Sequence, residues 1–138
     1  MYKKSKLIKS IIRNKDKRGS IISLINEEVN NVSIITCNKN SIRSNHYHLE
    51  DWHYIFVLKG SINYFYSNIN LKKINYKFIK KNQIIFTPPL EFHATHFPEQ
   101  TTLIVISKNK RNKQIYEKDT IRLNVINNKN YKKYINVV

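Results

Sequence analysis

The sequence predicts an all-β domain, a sandwich or barrel of short strands, on three observations. Apolar residues nowhere recur at i, i+3, i+4, i+7 over a convincing length, so helices are not expected. Short runs rich in Ile, Val, Tyr, Phe and Thr follow one another along the chain. Polar clusters separate those runs at regular spacing, the pattern of a sandwich or barrel. The length of 138 residues suits one domain with a core of its own.

The runs are Val32 to Cys37, Ser44 to His48, His53 to Lys59, Ser61 to Tyr66, Lys73 to Ile79, Gln83 to Thr87, His93 to Phe97, Thr102 to Ser107 and Thr120 to Ile126. The breaks fall at Asn38-Lys39-Asn40, Leu49 to Trp52, Gly60, Ser67-Asn68, Lys81-Asn82 and Pro88-Pro89. With two glycines in the whole chain, Asn is expected to fill turn positions that need left-handed backbone. The core is placed at about 20–126, with an N-terminal arm over 1–19 and a C-terminal extension over 127–138. The extension is the segment expected to fray. The apolar run Leu7 to Ile12 is expected to add an edge strand to a neighbouring copy, which predicts a homodimer.

The formal charge is +16, from 25 Lys+Arg against 9 Asp+Glu. The lysines are spread over the length (Lys3, Lys39, Lys80, Lys132), as AT-rich coding produces, so nucleic acid is disfavoured as a partner. A positive field suits a small anionic substrate. No apolar run approaches the ~20 residues of a membrane span. The basic start Met1 to Lys6 is followed by no apolar block of signal-peptide length, and the single Cys37 has no partner within the chain. The cytoplasm is the expected compartment.

All five histidines lie between positions 46 and 96. Residues i and i+2 of a strand share a face, so His46 and His48 aim together. His53 opens the next run, and antiparallel pairing across the short turn is expected to bring it near His48. His93 follows the Pro88-Pro89 turn, and a barrel would close it onto the others. Imidazole nitrogens ligate Zn, Fe, Ni or Cu, so His46, His48, His53 and His93 are candidate ligands. By strand parity Arg43 and Tyr47 face away from the pair and receive no role. By the same parity His96 is expected to lie off the site. Trp52 and the nine tyrosines are expected in the barrel core or a dimer interface, and Glu50-Asp51 in a solvated turn.

These residues resemble the cupin superfamily, whose first motif is Gly-x5-His-x-His-x3–4-Glu-x6-Gly. Here the chain reads His46-Tyr47-His48, four residues, His53, six residues, Gly60. The second motif, Gly-x5-Pro-x-Gly-x2-His-x3-Asn, is met by Asn82, five residues, Pro88, Pro89, Leu90, two residues, His93. His53 stands in the place of the usual Glu, Asn82 and Leu90 in the places of glycines, and Phe97 in that of the last Asn. The resemblance implies a single double-stranded β-helix, a jelly-roll barrel. A set of four imidazoles implies one divalent Zn, Fe, Ni or Cu ion, with a metal-free site as the alternative.

A narrower resemblance is to cupins that act on nucleotide-linked keto sugars in surface-polysaccharide gene clusters. It rests on Asp16-Lys17-Arg18-Gly19, Arg43 to His48, Thr87 to His93, and the tail Gln114 to Arg122. It implies an isomerase, a 3,4-ketoisomerase or 3,5-epimerase, with His46 and His48 as base and acid and a nucleotide sugar as substrate. Crowding of the imidazoles is expected to keep one neutral at working pH. Arg18 is a candidate for a phosphate or packing contact. The rhamnose-pathway 3,5-epimerases use a His–Asp dyad with a tyrosine acid; the sequence places no such dyad, and Asp51 merely lies in the turn after His48. A metal-dependent cupin of another class, such as a dioxygenase, and a non-catalytic sugar- or metal-binding cupin are the alternatives.

Overall fold

A computed structural model describes residues 2–9 and 11–135 of the chain, except for the side chains of residues 11 and 13. Met1, Ser10 and 136–138, parts of the expected arm and extension, lie outside the described residues.

Strand formation follows the β-branched and aromatic runs, and each of the nine runs read from the sequence contains a strand, the last over only Thr120–Arg122 of Thr120 to Ile126; a further strand near the N-terminus makes ten in the two large sheets. They assemble into two five-stranded antiparallel sheets. The first has the order β1 (Lys6–Ile8), β9 (Ile84–Thr87), β6 (His53–Lys59), β11 (Thr101–Ser107), β4 (Asn31–Cys37). The second has the order β12 (Thr120–Arg122), β5 (Ile42–His48), β10 (Glu91–His96), β7 (Ile62–Asn68), β8 (Asn75–Ile79). Consecutive strands β5 and β6 lie in opposite sheets, as do β9 and β10, so the chain crosses the barrel at each of the two histidine-bearing turns.

Several elements lie outside the nine runs. The hairpin β2 (Ile11–Asp16) and β3 (Gly19–Ser23) stands apart as its own two-stranded sheet. Its largely exposed residues give no inside-outside alternation to read. The helix α1 (Lys113–Asp119) has fewer than two turns, too few for an i, i+7 apolar repeat, and starts where the Asn112 side chain accepts from the Ile115 N–H at 2.9 Å. The strand β1 corrects the reading of Leu7 to Ile12. Its residues Lys6, Leu7 and Ile8 pair with Phe86, Ile85 and Ile84 of their own sheet, so this part of the run covers an edge of the chain it belongs to, while Ile11 and Ile12 fall on β2.

The main core lies between the sheets. Ile55 and Val57 meet Ile62, Tyr64 and Ile85, all buried. Burying a side chain of this size contributes roughly 1.5–3 kcal/mol. A second cluster lies on the outer side of the second sheet, where Phe65, Phe92 and Ala94 are covered by Ile126, Tyr131 and Tyr134. The tail expected to fray therefore packs, with a 3-10 turn at Tyr131–Tyr134. With cover on both faces, β10 is buried at all six positions and shows none of the alternation of an open sheet.

Gly60 sits in the tight β6–β7 turn at φ +91°, where a Cβ would come within 2.7 Å of the Gln100 carbonyl oxygen and 2.8 Å of Thr101 Cα. Asn82 and Leu90, which stand where the resembled motif has glycines, both keep the left-handed backbone, at φ 69° and 58°. Asn tolerates that conformation, whereas Leu is strained by it. Leu90 holds its turn by donating its N–H to the His48 carbonyl at 2.7 Å. Gly60→Ala should lower stability by about 2–4 kcal/mol, combining backbone strain with overpacking. Leu90→Gly should raise it by about 1 kcal/mol. Urea unfolding of the two variants checks both signs.

Candidate active site

The histidine cluster depends on an irregularity in β5. Across β10, His93 pairs with His46, but Ala94 pairs with Ser44, so Asn45 is an extra residue on the β5 side. Ser44 and Asn45 take left-handed backbone, at φ 70° and 58°. Such a bulge reverses the facing of a strand on either side of it. His46 and His48 point into the barrel, while Ile42, of the same parity, packs against the outer cluster. Arg43, whose parity assigned it to the other face, lines the cavity with the histidines for the same reason.

The imidazoles converge from both sheets. His46 lies 4.6 Å from His48 and 4.7 Å from His93 between ring centroids. His53 lies 5.1 Å from His93 and 5.8 Å from His48. The approach of His53 to His48 does not come from strand pairing, since β6 pairs with β9 and β11. The two rings meet across the barrel interior. His96 takes the opposite face of β10, stacked on Tyr131 at 3.8 Å, with Nδ1 3.0 Å from Asn63 Nδ2.

Around the cluster is a cavity of about 110 Å³. Ile35, Ile55, Leu103 and Val105 form its apolar wall, and Arg43, Arg111 and Tyr116 bring polar groups to it. Arg111 donates to Ser107 Oγ at 2.9 Å and lies over the Tyr116 ring at 4.7 Å. Tyr116 is on α1, 5.5 Å from His48 between centroids.

Burial is the first cause that holds the imidazoles neutral, and their neighbours add to it. His46 is lowered to about 2 by burial and then by His93 and His48. His93 is lowered to about 3 by burial and then by His48. For His48 the causes are burial and then the Arg111 charge, opposed by Asp119, and the result is about 4. His53 falls well below 6.5 by burial, with His93 and His48 adding to it. The crowding expected from the sequence is real and second to desolvation.

Sequence reasoning missed the groups behind His48. Asp119 Oδ2 lies 3.5 Å from His48 Nδ1, and Thr120 Oγ1 lies 3.3 Å from it. A His–Asp pair is thus present, formed with Asp119 and not Asp51. No local signal announces it, because the pairing of β12 with β5 sets Thr120 opposite His48 across some seventy residues of chain. Asp51 is buried, not solvated, and accepts the Asn109 N–H at 3.0 Å. Arg18 is exposed in the β2–β3 turn, bound to Asp16 at 2.7 Å, and does not line the histidine cavity.

In the unfolded chain these histidines protonate near pH 6.5, whereas all five have lowered values in the fold. The unfolded state then binds more protons, and stability falls as pH drops below about 6.5. The raised carboxyls Asp51 and Glu91 work in the opposite direction, but near and just above the ordinary carboxylate range. The urea midpoint should be flat above pH 7 and fall steadily from pH 6.5 to pH 5. A midpoint unchanged over that interval would contradict the neutral, buried cluster.

No protein-family model and no curated protein matches the chain. Solved structures do match its fold. QdtA from Thermoanaerobacterium thermosaccharolyticum, a 3,4-ketoisomerase solved with TDP, superimposes with a TM-score of 0.70 and 24% identity over 97% of this chain and 93% of that one. WlaRA from Campylobacter jejuni, a TDP-fucose-3,4-ketoisomerase, gives 0.72 and 17% over 94% and 92%. The capsular polysaccharide assembling protein CapF from Staphylococcus aureus gives 0.65 and 19%, over 86% of this chain and 33% of that one. The all-β cupin fold expected from the sequence is the fold of the chain. Among the described residues, no helix is long and apolar enough to cross a membrane.

Proposed function

We propose that the chain is a sugar-nucleotide isomerase that moves a proton next to a keto group, with 3,4-ketoisomerisation as the first assignment. The observation that carries it is the buried pair His46 and His48, 4.6 Å apart and held neutral, facing one cavity with Arg43 and Arg111. One neutral imidazole can take the proton from the carbon beside a carbonyl, and the imidazolium so formed, directly or by relay through the second ring, is the acid that returns a proton to the neighbouring carbon. In a 3,4-ketoisomerisation the C3 proton leaves and O4 gains a proton to give the enediol; C4 then receives a proton and the C3 hydroxyl loses its own, which leaves the carbonyl at C3 and a hydroxyl at C4. Two guanidinium groups suit a substrate that carries a diphosphate and passes through an enolate. The structures of like fold include QdtA solved with TDP-4-keto-6-deoxyglucose, which supports a substrate of that class. The reading assigns the chain to surface-polysaccharide synthesis and to the cytoplasm, where nucleotide-activated sugars are made.

Incubation with TDP-4-keto-6-deoxyglucose in deuterated water should give deuterium at the carbon that gains a proton. His48→Asn should lower the rate at least about 100-fold, the weight of one positioned acid-base group. No uptake by the wild-type chain across several 4-keto-6-deoxy nucleotide sugars would reject the function.

A second reading is favoured by a specific observation. The ligand nitrogens of His46, His48 and His93 lie within 4.8 Å of one another. His48 Nε2, His93 Nε2 and His53 Nδ1 are buried without hydrogen-bond partners. These donors fit one Zn, Fe, Ni or Cu ion, which would supply Lewis-acid or redox chemistry in a metal-dependent enzyme or hold a binding protein together. Plasma mass spectrometry of tag-free protein separates the two. About one such ion per chain, lost in His46→Ala and His93→Ala, would establish the metal centre. Folded metal-free protein would leave the histidines to acid-base work.

The proposed working unit is a homodimer. The outer edge of β4 is unpaired among the described residues, with Val32 61% and Ile34 72% exposed beside it. Hairpin β2–β3 likewise exposes Ile12 and Ile21. Light scattering should return twice the 16.5 kDa of one chain; a monomer would remove the proposal.

A further inference from the structure

The geometry behind His48 points to Thr120 as a positioning residue that holds His48 in the tautomer whose Nε2 lone pair faces the cavity. This rests on the proton-transfer reading above and deepens it, by saying which nitrogen is the base and what makes it so.

Thr120 Oγ1 has one hydrogen, and that hydrogen is committed. It is donated to the Tyr116 carbonyl at 2.6 Å, a short bond across the end of α1. What the hydroxyl presents to His48 Nδ1, 3.3 Å away, is therefore a lone pair. The second group near Nδ1 is the Asp119 carboxylate at 3.5 Å, which can only accept. Its oxygens are held in place by the Glu50 N–H at 2.8 Å and the Asp51 N–H at 3.1 Å, so the carboxylate cannot swing away. Both polar side chains that face Nδ1 are acceptors. A bare Nδ1 would meet two sets of lone pairs in a buried site, so the ring proton belongs on Nδ1.

The neutral imidazole has one ring proton, which leaves Nε2 bare. Nε2 is buried and has no hydrogen-bond partner in the protein. It is thus the free lone pair available to a substrate proton. The backbone enforces the arrangement: Thr120 is directly opposite His48 in the β12–β5 ladder, and the Leu49 N–H binds the Asp119 carbonyl at 2.9 Å. Tyr116 walls the cavity with its ring and orders the hydroxyl with its carbonyl, so α1 contributes to the site twice.

The direct test is the ¹⁵N NMR spectrum of the His48 side chain, assigned by its loss in His48→Asn. Wild-type protein should show the Nδ1–H tautomer; an Nε2–H tautomer overturns the proposal without any variant. Thr120→Val removes the hydroxyl and keeps the shape. It should bring up a detectable Nε2–H population and lower kcat on the order of tenfold, with KM unchanged, the size expected of a residue that orients another. Thr120→Ser should restore both the spectrum and kcat. A Thr120→Val variant with the wild-type spectrum and kcat, or a loss that Thr120→Ser fails to restore, would also overturn it. If the wild-type chain turns over no keto sugar, the isomerase reading fails by itself, and the spectrum still decides the tautomer.

Discussion

The bulge at Asn45 is the constraint on which the rest of the structure depends. One extra residue in β5 sends Ile42 outward and His46 and His48 inward, and it brings Arg43 to the same cavity. The Asn45 side chain then serves a second purpose. Its Oδ1 accepts the Ile126 N–H at 2.9 Å, and its Nδ2 donates to the Ile126 carbonyl at 2.8 Å. With the Asn45 carbonyl bound to the Leu123 N–H at 2.9 Å, this fastens the tail beside β5 and seats Ile126 over the outer cluster. The same fastening keeps β12 beside β5, and hence Asp119 and Thr120 behind His48. Asn meets both demands, because it tolerates left-handed backbone and has a side chain that both donates and accepts.

The site built on that strand is a costly one. Four imidazoles are buried, and three of their nitrogens lack partners in the protein. A buried polar atom left unpaired costs roughly 1–3 kcal/mol. Desolvation supplies the property that proton transfer needs, since it keeps the imidazoles uncharged at neutral pH. Arg111 at the same cavity adds to that effect. Apolar residues of the first sheet form the opposite wall, which limits the water that could compete for the proton.

Much of this was legible in the residues. The nine expected strand-bearing runs, the shared face of His46 and His48 and the exclusion of His96 follow from local composition and spacing, because strand propensity and face alternation are short-range properties. The departures have physical causes. Alternation misplaced Arg43 because a bulge is invisible to a count of two. Pairing of His53 with His48 failed because the chain crosses between sheets at the Leu49 to Trp52 turn. Leu7 to Ile12 was assigned to a neighbouring copy, and β1 instead covers the edge of β9. Residues 127–135, polar and lysine-rich, read as a loose end, and their Tyr131 and Tyr134 turn out to cover β10.

The sequence by itself determined the all-β class and the shared face of His46 and His48, which are written in patterns spanning a few residues, while the cupin-type strand plan and the set His46, His48, His53 and His93 came from the resemblance carried by two motifs over His46 to His93. The tertiary structure alone decided that Arg43 and Arg111 share the cavity and that Asp119 and Thr120 stand behind His48. Those contacts join positions far apart in the chain. They are set by strand register, sheet order and one inserted residue, and no local pattern of residue types encodes them.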